Sequence, residues 1–163
     1  MSGSAHHPGE TVSVLTHRMG VQDANIAGNV HGGWIMKLCD DVAAIAATRH
    51  AGGRVVTATV DEMKFRRPVH VGDVLMLRAT VNASWRTSME VGVRVEAEKI
   101  ESGEITHTCS AYLTMVSLDQ DEKPLPLPDL IPETPEEERR HREAGLRREV
   151  RLAKPGELRR VTA

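Results

Sequence analysis

Aromatic residues are nearly absent, since Trp34, Trp85, Phe65 and Tyr112 are the whole set in 163 residues. Any sizeable pocket must therefore be lined by aliphatic side chains and methionine, which suits an acyl chain better than a stacked base. Cysteine is also scarce. Cys39 and Cys109 are too few for a disulfide framework and match no zinc spacing, so a reducing compartment and no bound metal are expected. No eighteen apolar residues run together and no basic-led apolar segment opens the chain, which predicts a soluble, cytoplasmic protein without a membrane partner. A net charge of -2 gives no global argument for nucleic acid.

What is present is ordinary globular composition: 40% hydrophobic and 27% charged residues. The length fits one domain plus a tail. Residues 1–9 lack periodicity and are expected to be loose, with His6 and His7 a possible tag remnant. Residues 10–118 carry the patterned region, 119–135 are proline-rich and extended, and 136–163 form a charged helical tail. There is no internal repeat.

The residues from Glu10 to Met19 alternate polar with apolar, the period of a half-buried strand. A loop from Gly20 to Gly33 follows, built of turn-forming residue types. Trp34 to His50 reads as one helix closed by Gly52-Gly53. Four β-rich runs come next: Arg54 to Phe65, Asp73 to Trp85, Ser88 to Ile100 and Glu104 to Leu118. The order β-α-β-β-β-β predicts an α+β fold, with a long antiparallel sheet curling around one helix. Pro135 suits the first turn of a tail helix laced by pairs such as Glu136 with Arg140 and Glu138 with Arg142.

On a helical wheel Trp34, Ile35, Leu38, Val42 and Ile45 form a stripe for the sheet. The opposite side carries Met36, Ala43 and Ala47, with Asp40 among them. A helix apolar on two sides needs two partners, and a second copy of the chain is the natural second one. Asp40 would then be a carboxylate at a subunit interface, where it must be paired, protonated or reactive. Asp41 pairs instead with Lys37 one turn back. Ahead of the helix, the Gly32-Gly33 pair leaves backbone amides free at a helix start, a place that binds negative charge. Gly33 and Asp40 lie seven residues apart, about 10 Å of helix rise, too far to touch one carbonyl carbon. A complete site would draw on two subunits.

The stretches DANIAGNVHGGWIMKLCDDVAAIAATRH and VVTATVDEMKFRRPVHVGDVLMLRATVNASWRTSMEVGVRVEAE resemble the cytosolic acyl-CoA hydrolase branch of hotdog-fold thioesterases. The likeness runs strongly from Glu10 to Leu118 and more loosely into the charged tail. It implies a hotdog fold and hydrolysis of acyl-CoA without a cofactor, CoA being part of substrate and product. It also implies self-association into dimers and a trimer of dimers. It places the catalytic pair on Asn25 and Asp40, while the helix-start amides, at Gly32, Gly33 or Trp34, are suited by position to the oxyanion that develops on a thioester carbonyl. Asp40 would act as general base or as nucleophile, and the residues leave both open. His31, Trp34, Arg66, Arg86 and Ser88 fall to substrate binding, with Arg67 a further cation for the CoA phosphates. His31 and Asn29 are also expected to order the loop, and Cys39 and Cys109 to be core residues. A non-catalytic acyl-CoA sensor and, last, a hydratase or dehydratase are the alternatives on the same fold.

Overall fold

The computed structural model describes residues 5–153. A helical turn α1 (Pro8–Thr11) leads into β1 (Ser13–Arg18), and a 3-10 turn (Val21–Asp23) leads to α2 (Gly32–Ala51). Strands β2 (Val55–Phe65), β3 (Val74–Ser84), β4 (Ser88–Lys99) and β5 (Glu104–Ser117) follow, and α3 (Pro135–Ala153) ends the described chain. The five strands form one antiparallel sheet in the order β1-β3-β4-β5-β2. The four late strands match their expected spans to within one or two residues. α1 begins inside the segment expected to be loose, and the first strand is shorter than the alternation suggested, because Thr11 is buried as a helical residue. The last ten residues of the expected helical tail lie outside the described residues.

α2 lies against one face of the sheet. Alternate residues of the long strands point at it: Leu75, Leu77, Ala79 and Val81 from β3, Met89, Val91, Val93 and Val95 from β4, and Cys109, Ala111, Leu113 and Met115 from β5. Each fully buried Val, Leu or Met contributes about 1.5–3 kcal/mol. The helix presents Ile35, Leu38, Cys39, Val42, Ala43, Ala46 and Ala47 to this core. That face is turned away from the expected stripe. Ile45, expected inside, is 45% exposed and Trp34 is only partly buried, while Ala43 and Ala47, expected on the far side, are fully buried. The reason is steric: methyl side chains let the strands approach the helix axis, so close packing outranks hydrophobicity in choosing the face. Gly52, at φ +67, ends the helix in a left-handed cap with its amide on the carbonyl of Thr48 at 2.9 Å.

The outer face of the sheet is polar and is covered by α3. Glu90 on β4 is 0% exposed, and its carboxylate accepts two hydrogen bonds from Arg147 (2.9 and 2.8 Å) and one from Asn82 (3.0 Å). The Arg147 guanidinium also stacks 3.7 Å from the Tyr112 ring centre. One turn on, Arg151 meets Asp61 of β2 at 2.9 Å, and Asp61 also accepts from Thr114 at 2.6 Å. A Cβ at Gly92 beside them would stand 2.6 Å from the Asn82 amide and would have to displace that side chain from Glu90. Along its exposed side the helix carries the expected pairs, Glu136–Arg140 at 3.1 Å and Glu138–Arg142 at 4.0 Å. The Arg139 hydrogen bond, with Arg139 and Arg140 nearby, holds the Glu136 carboxyl down at about 2. Among the described residues no helix is long and apolar enough to cross a membrane.

Removing one partner of a buried, fully bonded ion pair leaves the other charge without compensation, a loss of about 3–5 kcal/mol. Arg147→Ala is expected to lower stability by about that much in urea denaturation, and the double change Arg147→Met with Glu90→Leu to recover most of it. His50, in the last turn of α2, has no exposure and packs edge-on to His6, with ring centres 5.3 Å apart. Burial lowers its pKa from the ordinary 6.5, helped by His6 and opposed by the Pro128 carbonyl. The unfolded chain then binds more protons, so this contribution is present above pH 6.5 and is lost as pH falls below it towards the folded value. His50→Phe should flatten that part of the stability profile, measured as melting temperature between pH 7.5 and 5.

Candidate active site

The loop between β1 and α2 is tied down at both ends. The Asp23 carboxylate, buried, accepts from the Gly20 amide at 2.7 Å, and the Asp23 carbonyl accepts from the His31 amide at 2.7 Å. Val30 bonds Val69 at 2.8 Å. The tip is a tight turn capped by Asn25, whose Oδ1 accepts from the amides of Ala27 (2.9 Å) and Asn29 (3.3 Å). Gly28 sits at φ +83, where a side chain would be strained. With Oδ1 engaged by the loop, the Nδ2 end of Asn25 makes no hydrogen bond among the described residues and stands partly exposed as a donor.

His31 caps the helix. Its Nδ1 accepts from the Gly33 amide at 3.0 Å, and its carbonyl takes the amides of Trp34 (2.9 Å) and Ile35 (3.3 Å). Of the expected amide donors, Gly33 and Trp34 are thus already bonded, and Gly32 has no partner among the described residues. The Gly32 amide sits at the positive end of a twenty-residue helix. It lines a cavity of about 360 Å³ shared with Phe65, Arg66 and Arg67. Phe65 presses on Gly32, 3.4 Å from where a Cβ would lie. A second cavity, of about 320 Å³, opens on the other side of the helix start, between His31, Trp34 and Lys37.

Asp40 lies two turns further along α2, at the edge of its buried face. Its Oδ1 accepts from the Thr57 hydroxyl at 2.5 Å, and Oδ2 has no partner among the described residues. Thr57 stands beside a register break in β2, between Thr57 and Thr59. Thr57 was not picked out from the sequence; a threonine in a β-branched run carries no signal beyond strand propensity. Asp41 bonds Lys37 at 2.6 Å, as the helical spacing implied. Cys39 and Cys109 are both buried; the two thiols influence each other, Cys39 being raised by Cys109 and by burial and Cys109 being lowered by Cys39. Their burial matches the expectation of core residues.

Not all expected residues meet. Arg66 joins Gly32 in one cavity, but Arg86 and Ser88 lie at the β3–β4 hairpin, where the Arg86 carbonyl takes the Leu127 amide at 2.9 Å. The helix start borders the other end of β3, beside Val69 and Asp73. An eleven-residue strand separates the two groups, roughly 35 Å at about 3.4 Å per residue. One copy of the chain cannot hold one substrate group between them.

A long central helix wrapped by a five-stranded antiparallel sheet, with a tied glycine-rich loop at its start, defines a hotdog-fold domain. The chain belongs to the thioesterase superfamily, whose family model matches residues 27–104. It is 41% identical over 133 residues to the cytosolic acyl coenzyme A thioester hydrolase of Rattus norvegicus, covering 80% of this chain and 35% of that one. It thus spans about a third of the length of these mammalian relatives. Among solved structures, an apo-hexameric acyl-CoA thioesterase superposes with a TM-score of 0.91 at 35% identity, covering 95% of this chain and 99% of that one. An acyl-CoA hydrolase from Staphylococcus aureus, in complex with butyryl coenzyme A, coenzyme A and coenzyme A disulfide, superposes at 0.90 and 32% identity, covering 97% and 96%.

Losing the His31 cap should cost about 1 kcal/mol of stability. His31→Ala is expected to lower the urea midpoint accordingly, while His31→Asn, which can accept from the same amide, restores most of it.

Proposed function

We propose that this chain hydrolyses acyl-CoA thioesters to the free acid and CoA, in the cytoplasm and as an assembly of its own copies. The observation that carries the reading is the Asp40 carboxylate, tethered through one oxygen to Thr57 and open at the other. The solved Staphylococcus aureus hydrolase adds support, because alanine variants of it replace an aspartate, an asparagine and a threonine. Those three residues have the same mutual spacing as Asn25, Asp40 and Thr57 have here.

In this reading the thioester carbonyl oxygen lies against the Gly32 amide, where the helix start stabilises the negative charge that develops on attack. Asn25 Nδ2 donates to the same oxygen or to the water. Thr57 fixes the rotamer of Asp40 so that its free oxygen faces the carbonyl carbon. That oxygen takes a proton from the attacking water, or attacks the carbon itself to form a mixed anhydride that water then opens. On either route the C–S bond breaks, the CoA sulfur leaves as thiolate and is protonated, and water supplies the acid oxygen. Redox chemistry plays no part. Gly32 and Asp40 are eight residues apart on one helix, about 12 Å of rise, so the amide and the carboxylate come from different copies. Arg66 and Arg67, beside Gly32, face the CoA phosphates, and Arg86 and Ser88 reach the substrate from a neighbouring copy. His31 and Trp34 shape the second cavity at the helix start. Dimers, and a trimer of dimers, supply the required neighbours, in keeping with the hexameric relatives.

Thiol release from a chain-length panel of acyl-CoAs tests this directly. Asp40→Asn should lower kcat about 10²–10⁴-fold with KM little changed, and Thr57→Ala by a smaller factor. The native mass should be six times that of the chain. Full activity in Asp40→Asn, or binding without thiol release in the unmodified protein, rejects the proposal.

A further inference from the structure

The proposed site draws two donors from one hairpin loop, the Asn25 side chain at its tip and the Gly32 amide where the loop enters α2. Both depend on Asp23 at the base of the hairpin. Its backbone carbonyl accepts from the His31 amide at 2.7 Å, which fixes the chain one residue before Gly32. Ala24, the next residue, pairs with Val30 as an isolated bridge and closes the hairpin beneath Asn25. The Asp23 carboxylate turns the other way, to the Gly20 amide at 2.7 Å, and so ties the hairpin to the chain just past β1.

Asp23 is 4% exposed, and a desolvated charge needs partners. Besides the Gly20 amide, the group in reach is His17 of β1, whose Nε2 lies 3.9 Å from the same Oδ2. That nitrogen is buried and has no hydrogen-bond partner among the described residues. The separation exceeds a hydrogen bond, yet at that range a protonated ring attracts the carboxylate. The His17 ring also stands edge-on to Trp34 in the first turn of α2, with ring centres 6.2 Å apart. Strand, hairpin and helix start are thus held together through one carboxylate and one imidazole.

We propose that Asp23, restrained by His17, is a positioning residue of the thioester reaction: it sets Asn25 Nδ2 and the Gly32 amide at the spacing that one thioester requires. In the acyl-CoA reading, on which this role rests, the Asp23 carboxylate acts through the loop and not on the substrate, because its bonded oxygen faces Gly20 and His17. A misplacement of about 1 Å at a catalytic group can lower the rate about 100-fold. The loss falls on kcat. Arg66 and Arg67, assigned to the CoA phosphates, lie outside the hairpin, whereas the two donors act on charge that develops in the transition state.

The test compares kcat and KM for thiol release in Asp23→Ala, Asp23→Asn, His17→Phe and the double change His17→Phe with Asp23→Asn, with amide hydrogen exchange alongside. Asp23→Ala should lower kcat about 10–100-fold with KM within about twofold, and speed exchange at the Gly20 and His31 amides. Asp23→Asn still offers the Gly20 amide an acceptor, so it should recover all but about two- to fivefold. His17→Phe should cost a similar factor and add nothing in the Asp23→Asn background, because the charge it serves is gone. Parental kcat in Asp23→Ala, a loss carried by KM, an Asp23→Asn protein no better than Asp23→Ala, or His17→Phe and Asp23→Asn losses that multiply each overturns the proposal. If Asp23→Ala does not fold, the other pair decides: coupled losses in kcat uphold the role, and parental kcat in both His17→Phe and Asp23→Asn rejects it. A parent that releases no thiol rejects the acyl-CoA reading, whereas an active parent with an indifferent Asp23→Ala variant rejects only the role of Asp23.

Discussion

Everything in this molecule is arranged around the close burial of α2. Three alanines, Ala43, Ala46 and Ala47, have no exposure and let the sheet close on the helix more tightly than larger side chains would allow. Tight seating fixes the rotation and the axial position of the helix, and both matter to the site. Axial position puts the Gly32 amide in a cavity with Phe65 and Arg66 at the end of β2. Rotation puts Asp40 at the margin of the buried face, near enough to β2 for Thr57 to reach it and far enough out for one oxygen to stay free. A helix turned by one residue would carry that carboxylate into the core or into open water.

Element types and spans were legible in the sequence because each had two independent signals. The helix had both spacing and alanine content, and Gly52 closed it where a left-handed residue was required. The strands had alternation and punctuating turns, and the four late ones lie close to where the pattern put them. Rotation of the helix was not legible. A wheel weighted by hydrophobicity scores Ile45 as core and alanine as neutral, whereas packing against a curved sheet selects by size. The same limit hid Thr57, whose role depends on a β-bulge and on a helix distant in sequence. Likewise the two glycines at the helix start looked equivalent, and only the cap geometry separates them: His31 takes up the Gly33 amide and leaves that of Gly32.

The two acidic residues that matter most, Asp40 and Glu90, illustrate how environment assigns a role to a carboxylate. Glu90 is wholly buried and receives three hydrogen bonds from Arg147 and Asn82. Neither of its oxygens is left for a substrate, and its desolvation is offset by a bidentate cation, so it holds α3 to the sheet. Asp40 is only partly buried and receives one bond, from a neutral hydroxyl. Thr57 orients the carboxylate through one oxygen and leaves the other open. Satisfaction of hydrogen bonds, more than burial or sequence context, is what distinguishes a structural carboxylate from one available for chemistry here. The same criterion applies to the backbone, where Gly33 is satisfied and Gly32 has no partner among the described residues. The amide and the carboxylate oxygen that have no partner among the described residues are the two ends of the proposed site, set too far apart on one helix to serve one substrate and therefore arguing for a partner copy.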